Sequence, residues 1–239
     1  MEGVAVVTGG ASGIGGACCR AFAAEGMKVA VLDLGDRADA LAAEVGGCPY
    51  SADVADEHAL SACVEKIEAE MGPVSVLVNN AGIIQRPLRP SALDMKLWDD
   101  VVRVDQRGVW LGCILFGRRM VERRRGAIVN IASIVSLRAV PLHAYGPAKA
   151  AVAAMTANLA AEWGPSGVRV NAVSPGVIDT PYHERFSTPE AMKAYVAGIP
   201  LGRVGTPEEV AGVITFLASD AASYLCGETI EINGGMLML

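Results

Sequence analysis

Short runs of β-branched and small apolar residues alternate with longer amphipathic stretches along all 239 residues, a rhythm that restricts the chain to parallel-sheet architectures. Strands are expected over about residues 3–7, 28–33, 47–52, 74–79, 126–132, 168–173 and 228–232. Helices are expected between them at about 13–25, 37–45, 56–71, 95–123, 145–163 and 206–219, the first closed by Gly26 and the third by Gly72. No repeat, linker or low-complexity stretch interrupts the pattern. Right-handed crossovers then distribute the helices over both faces of one doubly wound, seven-stranded parallel sheet. The expectation is a single α/β domain spanning 1–239, with ligands gathered beyond the carboxyl ends of its strands.

Composition agrees with a sheet covered on both faces, since hydrophobic residues make up 52% of the chain and charged residues only 19%. A net charge of −6 argues against a nucleic-acid or anionic-membrane surface, both of which need concentrated Lys and Arg. The one basic run, Arg123-Arg124-Arg125, reads as a solvated helix end. Six cysteines at 18, 19, 48, 63, 113 and 226 form no Cys-x-x-Cys pair and have no His at zinc-ligand spacing, so no metal is expected. Reduced thiols fit a cytoplasmic protein. The apolar run Val4–Val7 lacks a basic flank and stops at Gly9-Gly10, which fits neither a signal peptide nor a spanning helix.

The first strand runs into Thr8-Gly9-Gly10-Ala11-Ser12-Gly13-Ile14-Gly15 and then a helix. Glycines at 9, 13 and 15 permit a tight turn and let backbone N–H groups approach a pyrophosphate at the positive end of that helix. Eighteen residues beyond Gly15 the second strand ends in Asp33, whose carboxylate can accept both hydroxyls of an adenosine ribose and repel a 2′-phosphate. That selects NAD over NADP, with Arg37 nearby leaving some tolerance. Asp53-Val54 and Asn79-Asn80-Ala81-Gly82 add polar or small clusters after the third and fourth strands.

Tyr145 and Lys149 stand four apart at the start of a helix, so both project from one face. A free tyrosine ionises only near pH ~10, but a neighbouring ammonium favours the phenolate. Ser133, at the end of the fifth strand, can hydrogen-bond a substrate oxygen. Together these groups describe an acid/base site facing a hydride-carrying nicotinamide.

The sequences Thr8–Gly15, Asn79–Gly82, Ser133, Tyr145-Gly-Pro-Ala-Lys149, Asn171-Ala-Val-Ser-Pro-Gly176 and Gly227–Gly235 resemble the short-chain dehydrogenase/reductase family across essentially the whole chain. The resemblance implies a single Rossmann-type domain in which Tyr145 exchanges a proton with the substrate while a hydride passes to or from NAD. It implies that Ser12, Ile14, Asp53, Val54 and Asn80 contact the adenosine half. Ile178 and Thr180 would hold the carboxamide, and Lys149 the nicotinamide ribose. The family usually carries Asn at the position of Asp105, the fourth catalytic member, and the Ser133-to-Tyr145 segment is about one residue shorter than in many relatives. Because the family's Asn acts through its backbone carbonyl, activity is expected to survive Asp105, at a more alkaline pH in the oxidation direction.

The expected substrate is a secondary alcohol or ketone, with a small polyol, sugar or hydroxy acid favoured by a pocket edge poor in aromatics. Residues 181–200 read as a short helical lid, and Ile84, Ile134 and Leu142 as pocket lining. His143 and His183 lie near the pocket mouth on the family pattern, their default reading being loop histidines; His58 reads as helix surface. The apolar tail Gly234–Leu239 and the apolar helices at 95–123 and 145–163 point to a homo-oligomer, expected to be a tetramer. Two other readings remain at this stage: a nucleotide-binding regulatory protein that kept the fold and lost catalysis, for which only Asp105 speaks, and an epimerase or dehydratase, for which the C-terminal region is short.

Overall fold

The computed structural model describes residues 1–181 and 188–238. In chain order the elements are β1 (Val4–Thr8), α1 (Gly13–Ala24), β2 (Lys28–Asp33), α2 (Asp39–Val45), β3 (Cys48–Ser51), α3 (Glu57–Met71) and β4 (Val74–Asn79). There follow α4 (Met95–Val101), a π-helical segment (Val102–Gly108), α5 (Val109–Arg123), β5 (Gly126–Ile131) and α6 (Tyr145–Trp163). The chain then forms β6 (Val168–Pro175), α7 (Pro189–Ala197), α8 (Pro207–Ala218) and β7 (Thr229–Ile232). All seven strands pair in parallel, in the order β3-β2-β1-β4-β5-β6-β7. The order reverses between β1 and β4, so the loops leaving those two strands diverge and open a crevice at their carboxyl ends.

Alternation along the strands builds two cores. Val4, Val6, Leu77 and Ile128 face one side with Leu60, Ile67, Phe116 and Leu159 from α3, α5 and α6. Ala5, Val7, Val78 and Val129 face the other, against Cys18 and Phe22 of α1 and Ile214 and Leu217 of α8. Each fully buried Val, Leu, Ile or Phe contributes about 1.5–3 kcal/mol of burial, which is why the central strands tolerate almost no polar side chain. Among the buried polar groups, one set forms a ladder between sheet and helix. Asn79 Nδ2 donates to Asn130 Oδ1 (2.8 Å), Asn130 Nδ2 to Thr156 Oγ1 (3.0 Å), and the Thr156 hydroxyl to the Val152 carbonyl (2.9 Å). These bonds register α6 against the ends of β4 and β5.

The expected elements are present, with ends displaced by one or two residues. One helix differs in kind: the stretch 95–123 carries seven π-helical residues in its middle. A π segment admits extra residues into the turn and changes the phase of the helix. The change turns Asp105 fully inward. Its neighbours Arg103 and Arg107 reach back to the loop after β3, pairing with Asp53 (2.7 Å) and with the Ala55 carbonyl. Of the expected lid, 182–187 and with them His183 lie outside the described residues, while α7 supplies the helical part. No helix among the described residues is long and apolar enough to cross a membrane, and none of their His, Cys, Asp and Glu side chains form a metal-binding cluster.

The packing of α5 on α6 depends on Gly117, where an added Cβ would meet Trp163 Cζ3 at 2.4 Å. Gly117→Ala should therefore destabilise the fold by about 1–3 kcal/mol through overpacking, despite the better helix propensity of Ala. Urea unfolding should show a lower midpoint at unchanged slope.

Candidate active site

The carboxyl ends of β1, β2, β4, β5 and β6 border one continuous cleft of about 1270 Å³. Sites for a single small molecule run to roughly 300–1,000 Å³, so this cleft has room for a dinucleotide and a second ligand. Gly9, Ser12, Ile14, Asp33, Asp53, Val54, Asn80 and Gly82 line it, and so do Asp105, Ser133, Tyr145, Lys149, Ile178 and Thr180. Arg37 lies at its edge, and Ile84, Ile134 and Leu142 are in its wall as expected.

An added Cβ on Gly13 would meet Thr180 and Pro181, both in the cleft wall, at 3.6–3.9 Å. Gly15 sits against the turn itself, where an added Cβ would meet the Gly9 carbonyl at 2.2 Å and Asn80 Nδ2 at 2.5 Å. Its place in the motif is to let α1 pack directly on the turn. His143 also stays out of the wall. Its Nε2 is buried with no hydrogen-bond partner among the described residues.

The ends of β1 and β4 are tied to each other by side chains. Thr8 Oγ1 accepts from the Asn80 and Ala81 amides (3.0 Å each), and Asn80 Nδ2 donates to the Thr8 and Gly9 carbonyls (2.9 and 3.0 Å). Asp33 braces the turn from the other side, accepting from the Ala11 amide (3.1 Å) and the Leu34 amide (2.8 Å). Its carboxylate lies at the end of β2 on the cleft. Asp53 is held in the ionised form. Burial works against its charge, but the Ala55 amide and Arg103 outweigh it and hold the carboxyl below its ordinary range.

At the other end Ser133, Tyr145 and Lys149 meet. Ser133 lies by the Tyr145 phenol and favours its ionised form, and its Oγ accepts from the Val135 amide at 3.4 Å. Lys149 Nζ lies 5.5 Å from the Tyr145 ring centroid and donates to the Ile131 carbonyl at 2.9 Å. Asp105 Oδ1 accepts from the Ile83 amide (2.8 Å), and Oδ2 lies 3.3 Å from Lys149 Nζ, both side chains being buried. Burial alone would lower the Lys149 ammonium, but Asp105 and Tyr145 together hold it above its ordinary range. Burial raises Asp105 against the pull of Lys149 and the Ile83 amide. Tyr145 is raised by burial, drawn down by Lys149 and pushed back up by Asp105. The arrangement is an acid/base group whose cationic neighbour is partly neutralised by a carboxylate.

Two residues that the sequence did not single out help build the cleft: Arg103, which braces Asp53, and Gln85, at the start of α6. Arg103 and Gln85 act on partners 50 and 59 residues away, and no local pattern marks them.

A cleft that joins a glycine turn to a Ser–Tyr–Lys group on a doubly wound sheet defines a nicotinamide-dependent oxidoreductase. The chain belongs to the short-chain dehydrogenase/reductase family, and residues 9–237 match the family described as enoyl-(acyl carrier protein) reductase. It is 41% identical to D-threitol dehydrogenase of Mycolicibacterium smegmatis, over 97% of this chain and 92% of that one. It is 40% identical to 3-oxoacyl-(acyl-carrier-protein) reductase FabG of Thermotoga maritima, over 100% of this chain and 99% of that one. A solved structure from Beutenbergia cavernae, put forward as an NAD(P)-dependent gluconate 5-dehydrogenase and holding NADP at low occupancy, superimposes with a TM-score of 0.91 at 37% identity, covering 98% of this chain and 96% of that one. Membership makes the chain an oxidoreductase of alcohols and ketones that works with a nicotinamide dinucleotide.

The geometry around Asp105 gives a sign for its effect. Removing its charge takes away a group that raises Tyr145, so Asp105→Asn should move the ionisation of Tyr145 to lower pH. Near-ultraviolet phenolate absorbance, with a Tyr145→Phe variant as blank, reads this directly. An unmoved titration would mean that Lys149 screens the carboxylate completely.

Proposed function

We propose that this chain interconverts a secondary alcohol and its ketone on a small polyol, sugar or hydroxy acid, using NAD(H). The observation that carries the reading is that Ser133, Tyr145 and Lys149 share one cleft with the glycine turn and Asp33. In this reading Tyr145 takes the proton of the substrate hydroxyl during oxidation and returns it during reduction. Lys149 favours the phenolate and, with Ser133, surrounds the reacting oxygen with donors. The bound nicotinamide accepts or supplies the hydride. Asp105 is proposed as the group that tunes Lys149, standing where the family usually has Asn.

For the dinucleotide, the residues at the turn, with Asp33, Asp53, Val54 and Asn80, would hold the adenosine half, and Ile178 and Thr180 the carboxamide end. Asp33 is the reason for NAD: a 2′-phosphate placed at the end of β2 meets a carboxylate and loses its ribose hydrogen bonds. NADH should bind at least about tenfold tighter than NADPH, a difference of ~1.4 kcal/mol, and Asp33→Asn should narrow the ratio. Fluorescence titration of the purified protein measures both. Tighter binding of NADPH would overturn the assignment and direct attention to Arg37. Turnover across polyols, sugars and hydroxy acids, absent in Tyr145→Phe, then tests the substrate class.

The similarity to a threitol dehydrogenase supports a polyol. The similarity to an acyl-carrier-protein reductase supports the reverse direction on a longer substrate, and 3-oxoacyl thioesters belong in the same panel. The buried thiols of Cys18, Cys19, Cys63 and Cys113 fit a cytoplasmic enzyme. A homotetramer fits the apolar side chains left exposed, Trp110 on α5, Phe216 on α8 and Met238 in the tail. Light scattering at micromolar concentration should give four times the chain mass, and a monomer would refute it.

A further inference from the structure

Gln85 lies in the loop after β4, with its side chain only 1% exposed. Its Oε1 accepts from the Ala144 amide at 2.7 Å and the Tyr145 amide at 3.3 Å. These amides open α6, and a helix leaves its first N–H groups without partners inside itself. No residue adjoining α6 caps them, since its N-cap position is Ala144. The cap therefore comes from 59 residues upstream. Two N–H donors on one spot require an acceptor there, which fixes the orientation of the amide and leaves Nε2 buried without a partner among the described residues.

The same loop is fastened at two further points. The Ile83 amide donates to Asp105 (2.8 Å), and the Leu88 amide to the Pro141 carbonyl (3.1 Å). Between these ties Ile83, Ile84 and Pro87 form cleft wall. One short segment thus touches the partner of Lys149, the backbone of Tyr145 and the space beside the reacting groups.

We propose that Gln85 is a positioning residue for Tyr145: its buried amide oxygen holds the first turn of α6 and fixes the tyrosine relative to the cleft wall. This rests on the reading of Tyr145 as the acid/base. A neutral acceptor suits the position, because a carboxylate there would cap the helix equally well while adding negative charge beside a tyrosine that has to ionise. The charged groups already facing Tyr145 among the described residues are Lys149 on its own helix and Asp105 from the π segment.

Two variants test the proposal. Gln85→Leu removes the acceptor at similar volume, and kcat should fall about 10- to 100-fold, as expected for a reacting group misplaced by a fraction of an ångström to an ångström. The Kd for NADH should stay within about twofold, because the dinucleotide residues are untouched. Gln85→Glu keeps the cap, and the phenolate titration of Tyr145 in the protein alone should move upward by about one pH unit, because a negative charge beside the first turn of α6 disfavours the phenolate. That titration needs no substrate, so it separates this proposal from the functional reading. A parent inactive on every substrate would sink the reading but leave the titration valid. Gln85→Leu with parental kcat, or Gln85→Glu with an unmoved Tyr145 titration, would overturn the positioning role. If Gln85→Leu does not fold, the titration of Gln85→Glu decides alone.

Discussion

Everything in this molecule is arranged around the pairing of β1 with β4. At that seam the sheet's two halves run outward in opposite directions, and the loops above it must part. Because helices cover both faces of the sheet, polar groups have little room along the strands and collect at the carboxyl ends instead. The Thr8 hydroxyl and the Asn80 amide lock the two diverging loops together where they part. The turn after β1 is thereby tied to the end of β4 by side chains, and a ligand that meets a turn already held in place has less ordering cost to overcome.

The other end of the cleft obeys a different constraint, the cost of burying charge. Lys149 is surrounded by protein, and an isolated ammonium there would be expensive. The Ile131 carbonyl, the Tyr145 ring and Asp105 share the compensation. An amide at position 105 would leave more of Lys149's field for Tyr145. The carboxylate found here binds the lysine more firmly and lends the tyrosine less. The same substitution thus trades local stability against the ease of ionising Tyr145, and both effects act through a contact of 3.3 Å.

What could be read from the sequence was local. The strand rhythm, the turn after β1, Asp33 at a strand end and the four-residue step from Tyr145 to Lys149 are patterns within a few residues, and each was found where it was expected. The glycine spacing did not say which face each glycine takes: Gly15 packs on the turn itself, whereas Gly13 faces Thr180 and Pro181. The π segment had no signature at all. Around it Arg103 and Arg107 dock on the loop after β3, contacts between parts of the chain about 50 residues apart. Gln85 was missed for the same reason, an uncharged residue in a loop whose partner is a pair of backbone amides.

The three ties of the loop after β4 also bear on how this scaffold could be re-engineered. Ile83 is anchored to Asp105, and Gln85 and Leu88 to the segment 141–145 that leads into α6, with single residues or pairs between them. Adding or deleting one residue here would put at least one anchor out of step with its partner. The side chains of Ile84 and Pro87 carry none of these three ties, but the loop's length is fixed by its fastenings. A broader substrate range would therefore have to be sought by substitution at Ile84 and Pro87, with insertions confined to the far wall of the cleft.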